Sequence, residues 1–243
     1  AYNMAYNLAD IPAIQVGEQL ALVLMPSMAS LPPERRPRAL ERSSALLSLI
    51  IFPLAVGLGL VAYPLIALIL PDDAWQLVAP LLTVLACLSV FRPITWVLSA
   101  YLEAESKTNR LMALELAKIV LLVGGIAVLQ PYGVRVASGA VGLAFGLSAI
   151  AGVVMVMRNG VSPRRLLMGF MQPLAACGVM AATVWAVRNG LVAVGLGHPA
   201  ILLVMMILTG VVAYVLAAFA LCRTTALDLL DLLKKAVRKS PVD

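Results

Sequence analysis

Long uninterrupted runs of apolar residues dominate the chain, and short polar segments separate them. Six of these runs have the length of about 20 residues that a helix needs to cross the hydrocarbon core of a bilayer. They cover residues 44–70, 77–101, 111–130, 136–157, 167–187 and 200–222. Lipid offers no hydrogen-bond partner to a backbone group, and a strand barrel would show alternation, so each run predicts a transmembrane helix.

A further segment, residues 2–27, is long enough to span a bilayer but is less uniformly apolar. At 100° per residue, Asn3, Asn7, Asp10 and Glu18 fall within roughly an 80° arc, and Gln15 lies just beyond it. We interpret the segment as a seventh transmembrane helix with one hydrophilic face. This face either lines a cavity or marks first turns that lie at the membrane interface.

The composition agrees with this pattern. Of the 243 residues, 62% are hydrophobic and 12% are charged, which is too little polar surface to cover a water-facing globule. The fold class expected is therefore all-α, a polytopic membrane helical bundle of about seven transmembrane helices. A soluble nucleotide enzyme, a disulfide scaffold and a disordered regulator are excluded. Cys87, Cys177 and Cys222 show no metal-site spacing, and His198 is the single histidine, so we expect no metal and no cofactor.

The basic residues are distributed very unequally between the two sides of the predicted bundle. Alternation of the spans leaves only Arg135 and Arg188 in the loops of one side. The opposite loops and tail contain Arg35, Arg36, Arg38, Arg42, Lys107, Arg110, Arg158, Arg164, Arg165, Arg223, Lys234, Lys235, Arg238 and Lys239. By the positive-inside rule this second side is cytoplasmic, and so is the C-terminus. We read the net charge of +6 as topology and expect no nucleic-acid partner.

The tail, residues 223–243, repeats Leu227, Leu230, Leu233 and Val237 at helical spacing. It is either an amphipathic helix on the inner membrane surface or a solvated tail that anchors the topology.

One cation lies deep within a predicted span. Arg92 is about 14 Å from the inner end of the helix over residues 77–101, close to the midplane. It shares a face with Ser89, Thr95, Trp96 and Ser99. A guanidinium there suits a phosphate or carboxylate ligand. The alternatives are an internal salt bridge to Asp10, Glu18 or Glu115, or extension of the side chain towards the cytoplasm.

Other motifs carry less chemistry. Glu115 and Lys118 are three residues apart and lie near the inner interface, where lysine can reach water. Gly139, Gly142 and Gly146 favour close helix packing rather than phosphate binding, since no strand precedes them. No nucleophile, metal-ligand or nucleotide-binding motif is present, so we expect that the protein is not an enzyme.

Residues 2–82 resemble the second lobe of bacterial polysaccharide transporters of the multidrug, oligosaccharidyl-lipid and polysaccharide exporter superfamily, which includes O-antigen and lipid II flippases. The residues that carry the resemblance are Tyr2-Asn3-Met4-Ala5, Pro12, Val23-Leu24-Met25-Pro26-Ser27, Pro53, Gly57, Ala62-Tyr63-Pro64-Leu65-Ile66, Trp75 and Ala79-Pro80-Leu81. Gly133, in a short outer turn, also looks like that family. The chain departs from the family at Asp72-Asp73-Ala74, where a glycine usually precedes the tryptophan.

The resemblance implies a protein of about fourteen helices in two pseudo-symmetric lobes, of which this chain would hold the last seven. Residues 1–157 would form the transmembrane helices of the second lobe. Residues 158–222 would form an accessory transmembrane hairpin, and residues 223–243 the cytoplasmic tail. Because the chain starts at Ala1 without methionine, we expect a fragment whose partner is the missing N-terminal lobe.

The function implied is export of a lipid-linked oligosaccharide across the bacterial inner membrane, for lipopolysaccharide or exopolysaccharide synthesis. The lobes would rock around a central cavity lined by Asn3, Asn7, Asp10 and Glu18, in contact with membrane lipids. Arg92 would compensate the charge of the diphosphate. Two alternatives are a cation-coupled drug or small-molecule antiporter of the same superfamily, and a membrane subunit of polysaccharide assembly.

Overall fold

A computed structural model describes residues 2–12, 28–70, 78–157 and 160–238, and these ranges contain helices and turns but no strand. The helices are α1 Tyr2–Pro12, α2 Arg36–Ile69, α3 Val78–Leu88, α4 Arg92–Ala104, α5 Thr108–Leu129, α6 Val134–Met157, α7 Pro163–Ala193, α8 Pro199–Leu221 and α9 Arg223–Arg238. Short 3₁₀ turns at Pro33–Arg35, Ser89–Phe91 and Gln130–Tyr132 connect or precede some of them. The predicted all-helical fold class is confirmed.

Within the described ranges, six helical stretches are long and apolar enough to cross a membrane. They are Pro33–Ile69, Val78–Ala104, Thr108–Tyr132, Gly139–Met157, Pro163–Ala193 and Pro199–Leu221. They correspond to the six predicted apolar runs. Of the predicted seventh span, only α1 is described, and residues 13–27 lie outside the described part of the chain.

Two helix boundaries differ clearly from the predictions. Helix α2 begins at Arg36, well before the predicted start at residue 44. The helix predicted to end at residue 187 continues through Arg188 to Ala193. It ends where Gly195 takes a φ of 81°, with the Leu196 N–H donating to the Leu191 carbonyl. This is a Schellman-type C-cap, which depends on a glycine and not on loss of apolar character.

Helix α2 lies at the centre of the bundle and has a buried cluster on each of two faces. One cluster joins α2 to α4, α7 and α8 through residues that include Phe52, Val97 and Phe170. The other joins α2 to α1, α3 and α6 through residues that include Ala62, Leu82 and Val141. The predicted final pair of spans, α7 and α8, pack against each other and against α2.

Helix α5 lies at the edge and has no buried residue. Its large apolar side chains are exposed, and Val120 is 69% and Val123 62% accessible. Its main neighbour is α6. A continuous apolar face of this kind is rare on a water-soluble protein and is typical of a surface that faces lipid or another subunit.

The predicted glycine row on α6 is only partly used for packing. A Cβ at Gly142 would collide with the Leu88 side chain, and one at Gly146 would contact the Phe91 ring at 3.7 Å. A Cβ at Gly139 would meet open space. Close helix approach is therefore confirmed at Gly142, whereas a Cβ at Gly146 would make only an ordinary van der Waals contact. The prediction is wrong at Gly139, because the contact with α3 begins one helical turn later.

A proline within α2 connects this helix to the hairpin. Pro53 has no N–H, so the Leu49 carbonyl four residues earlier loses its helical donor. The buried Tyr214 hydroxyl on α8 donates a hydrogen bond to this carbonyl at 2.7 Å. The tyrosine thus satisfies the backbone group that the proline leaves open.

We expect Tyr214→Phe to lower the free energy of unfolding by about 1 kcal/mol, because the Leu49 carbonyl then has no donor. In a Pro53→Ala background the cost should largely disappear, since the substituted alanine restores a backbone N–H. Equilibrium unfolding in mixed micelles measures the four members of this double-mutant cycle. Tyr63→Phe, at an exposed tyrosine of α2, is the matched control. Additive effects of the two substitutions would contradict the coupling.

Candidate functional site

A second proline places Arg92 within the bundle. Pro93 has no N–H for the Ser89 carbonyl, and the Arg92 N–H donates to that carbonyl instead. The result is the 3₁₀ turn Ser89–Phe91, after which α4 begins at Arg92. The span that was predicted as one continuous helix is therefore divided near its middle, and Arg92 is the first residue of its second half.

Arg92 borders a small recess where α1, the junction of α3 with α4, and α6 meet. The recess has a volume of about 10 Å³, room for one water molecule at most. Its lining is mostly apolar. The lining residues are Tyr6, Ala9, Leu85, Leu88, Ser89, Arg92, Val141 and Phe145.

Two aromatic side chains hold the guanidinium group. Nη2 of Arg92 donates a hydrogen bond to the Tyr6 hydroxyl at 3.1 Å. The guanidinium carbon lies 5.5 Å from the centroid of the Tyr6 ring and 5.4 Å from that of Phe145. These are cation–π distances, and such contacts keep a charge in weakly polar surroundings.

A second cation contacts the same phenylalanine. Nζ of Lys118 on α5 lies 5.3 Å from the centroid of the Phe145 ring. Lys118 also forms an ion pair with Glu115, three residues earlier on the same helix. The lysine was expected to extend towards water at the inner interface. That interpretation is wrong, because Lys118 is directed to the ring and its side chain is only 19% exposed.

The structure brings some of the predicted site residues to this recess and leaves others apart. Asn7 lies on α1 next to Tyr6 and is exposed. Asn3 and Asp10 are positions of the same helix whose side chains lie outside the described part of the structure, as do Gln15 and Glu18 entirely. A continuous polar face on the first helix therefore stays a prediction.

Trp96 does not share the surroundings of Arg92. It is half-buried and packs against the cluster between α2, α4, α7 and α8. Arg92 and Trp96 are four residues apart within α4, about 40° around the helix axis, and the 3₁₀ turn precedes both of them. Ser89 is the first residue of that turn and lines the recess with Arg92, where its hydroxyl donates to the Leu85 carbonyl at 3.0 Å.

Tyr6 and Phe145 are site residues that the pattern of the sequence did not single out. An aromatic residue in an apolar run looks like lipid-facing or core material, so neither carries a local signal. Phe145 does stand directly before Gly146, the α6 glycine that lies next to the Phe91 ring. The available signal for this site is the combination of an aromatic residue, a glycine beside it, and an arginine in the middle of another span.

The basic loops meet at one end of the bundle. Nη1 of Arg36 at the start of α2 binds the Ala104 carbonyl at 2.9 Å and Glu105 at 3.1 Å, and Lys107 also pairs with Glu105. Partial burial raises the pKa of Glu105, but the hydrogen bonds from Arg36 and Lys107 lower it more, so the net pKa is below the usual range. These pairs fix the end of α4 to the start of α2.

Long apolar helices, exposed apolar surface and a cationic recess in mid-span define a multi-pass helical membrane protein. Residues 1–79 match a family described as "Polysaccharide biosynthesis protein". The match covers α1, α2 and the start of α3, and therefore includes Tyr6 but neither Arg92 nor Phe145. No curated protein and no solved structure matches the chain. The protein is accordingly a multi-pass membrane protein whose first 79 residues are similar to a family of polysaccharide biosynthesis proteins.

We expect Phe145→Leu to lower the free energy of unfolding by about 1 to 2 kcal/mol, because both Arg92 and Lys118 lose a cation–π partner. Phe219→Leu, on the exposed face of α8, removes a ring of the same size without any cation contact and should have little effect. Unfolding of both variants in mixed micelles measures the difference. Equal losses would show that the Phe145 ring acts only as apolar volume.

Proposed function

We propose that the protein moves a lipid-linked oligosaccharide precursor from the inner to the outer leaflet of the bacterial inner membrane by alternating access. Two cations that contact one aromatic ring inside a membrane-spanning bundle are the observation that supports this best. The family match over residues 1–79 supports polysaccharide precursors as the class of cargo.

Charge is the property that selects the headgroup. Placing an ionised side chain near the bilayer centre costs at least about 2.5 to 3.5 kcal/mol, so a cation at this depth indicates a functional site. The planar guanidinium of Arg92 matches two oxygen atoms of a phosphate, and Lys118 adds a point charge nearby. A diphosphate between sugar and polyprenyl chain fits this pair, while the chain itself stays in lipid.

The recess must open for a sugar to be bound. Its present volume of about 10 Å³ admits no sugar ring, so we identify the structure with a closed state of the cycle. Opening requires α1 or α6 to leave α4, which breaks the contacts of Arg92 with Tyr6 or Phe145. Asn7, exposed beside Tyr6, would then border the widened space.

The membrane potential provides part of the driving force. With the basic end of the bundle in the cytoplasm, the proposed cargo carries two negative charges outwards. At about 2.3 kcal/mol per charge and 100 mV, the potential contributes roughly 4 to 5 kcal/mol for each 100 mV. The opposite wall of the cavity would come from a second helical lobe.

A cation-coupled antiporter of the same superfamily is the second candidate. The Glu115 to Lys118 ion pair favours it, because an acid within a span is a group that a coupling ion can bind. Substrate-dependent proton release from reconstituted vesicles separates the two functions, since a carrier driven by potential alone releases none.

We expect Arg92→Gln to reduce export of the lipid-linked precursor by about 10- to 100-fold, the loss of one charged hydrogen bond. Asp10→Asn tests the predicted polar face in the same way. An in-cell flipping assay on the intact protein measures both. Arg188 is an exposed residue near the C-terminal end of α7, and the control variant Arg188→Gln should transport normally. Normal export by Arg92→Gln at normal membrane abundance would remove this residue from the mechanism.

We expect thiols at Asn7→Cys and Asp10→Cys to react with a membrane-impermeant maleimide, because water must reach a cavity for sugars. Val120→Cys lies on the exposed apolar face of α5 that we assign to lipid, and it should stay unreactive. The background is a chain without Cys87, Cys177 and Cys222. If neither Asn7→Cys nor Asp10→Cys is labelled in any transport state, the flippase proposal is wrong.

A further inference from the structure

A second recess, distinct from the one around Arg92, lies at the basic end between α2, α7 and α9. It is open on one side and has a volume of about 390 Å³, within the range of ligand pockets. Polar side chains surround much of it. They are Arg38, Arg42, Arg165, Gln172, Thr224 and Thr225.

The carboxylates at this recess are already engaged. Glu41 accepts a hydrogen bond from the Ser162 backbone N–H at 2.9 Å and lies 3.8 Å from Arg165. Asp228 accepts from Nε of Arg42 at 3.1 Å, which leaves the two terminal nitrogens of that guanidinium for another acceptor. With three arginines and two carboxylates, the recess has a net positive charge.

Arg38 is the clearest donor towards a ligand. It is exposed, lines the recess, and forms no hydrogen bond or ion pair with any residue in the described part of the chain. Arg165 is held only by the 3.8 Å contact with Glu41. Both guanidinium groups can therefore turn towards an anion at little cost.

Helix α7 begins at the recess and adds to its positive potential, whereas the start of α9 directly follows the end of α8, whose dipole opposes it. Arg165 lies in the first turn of α7, and Thr224 and Thr225 lie in the first turn of α9. The free N–H groups of a first turn and its positive dipole favour an anion, and threonine hydroxyls add donors. Charge, hydroxyl groups and the start of α7 thus all favour the same class of ligand.

The recess lies at the boundary between apolar and polar surroundings. Its inner wall includes Ala45, Met168 and Gly169, which belong to spans. Helix α9 buries Ala226 against the bundle but exposes Leu227 and Leu230, as a helix at a membrane surface does. A phosphate on an acyl-chain lipid would meet both kinds of wall, whereas a free phosphate would use only one.

We propose that this recess binds the phosphate headgroup of an anionic phospholipid. Basic pockets between membrane helices are known to hold such headgroups, and each basic residue contributes about 1 kcal/mol. The bound lipid would join α2, the start of the hairpin and α9. The proposal is independent of the cargo that the protein carries.

The test compares three additions to the purified chain in a neutral detergent: dioctanoyl phosphatidylglycerol, dioctanoyl phosphatidylcholine and inorganic phosphate. Thermal unfolding is followed for each. We expect phosphatidylglycerol alone to raise the midpoint. In the double variant Arg38→Gln/Arg165→Gln, the phosphatidylglycerol concentration needed for the same rise in midpoint should increase about 30-fold.

The matched control, Arg164→Gln/Arg188→Gln, removes the same charge from exposed positions of α7 that do not line the recess, and should respond like the unchanged protein. The single variant Arg38→Gln breaks no contact within the described structure, so it can be tested even if the double variant is unstable. It should need several-fold more phosphatidylglycerol than the unchanged protein. If inorganic phosphate raised the midpoint equally, the ligand would be a soluble anion and the lipid proposal would be wrong. No response to phosphatidylglycerol, or equal losses in variant and control, would overturn the proposal.

Discussion

A carbonyl that a proline deprives of its helical N–H is costly to leave without a donor inside the apolar part of the molecule, and two such carbonyls find one here. Tyr214 supplies this donor for Leu49, and thereby attaches α8 to α2. The Arg92 N–H supplies it for Ser89 by tightening one turn to 3₁₀ geometry. The first solution fixes the hairpin on the scaffold. The second sets the direction of the arginine on which the candidate site depends.

The two cationic regions differ in how their charges are stabilised. Near mid-span, Arg92 and Lys118 rest on aromatic rings, and a carboxylate partner accompanies the lysine. At the basic end, Arg42 and Arg165 contact carboxylates at the edge of an open recess. The recess around Arg92 must open before a ligand can reach its cation, whereas the recess at the basic end already gives a diffusing anion access.

The spans could be predicted because apolar length is a local property, visible in any run such as residues 200–222. Arg92 could also be predicted as a candidate, since an arginine within such a run stands out. Its neighbours could not. Tyr6 and Phe145 come from helices distant in sequence, and Trp96 packs against a cluster formed with helices that its local pattern does not reveal. The true end of α7 was missed for a comparable reason, because Gly195 and not hydropathy determines it.

The closed recess also constrains how a transport cycle could work. Each cation–π contact of Arg92 is worth about 0.5 to 2 kcal/mol, so separation of α1 or α6 from the guanidinium costs a few kcal/mol. A minor open state at that energy is populated enough to be selected by a ligand. A phosphate that binds the arginine replaces the Tyr6 hydroxyl with a charged acceptor, and charged hydrogen bonds are the stronger. The proposed cargo would thus stabilise the open state, because it binds the same guanidinium whose contacts stabilise the closed state.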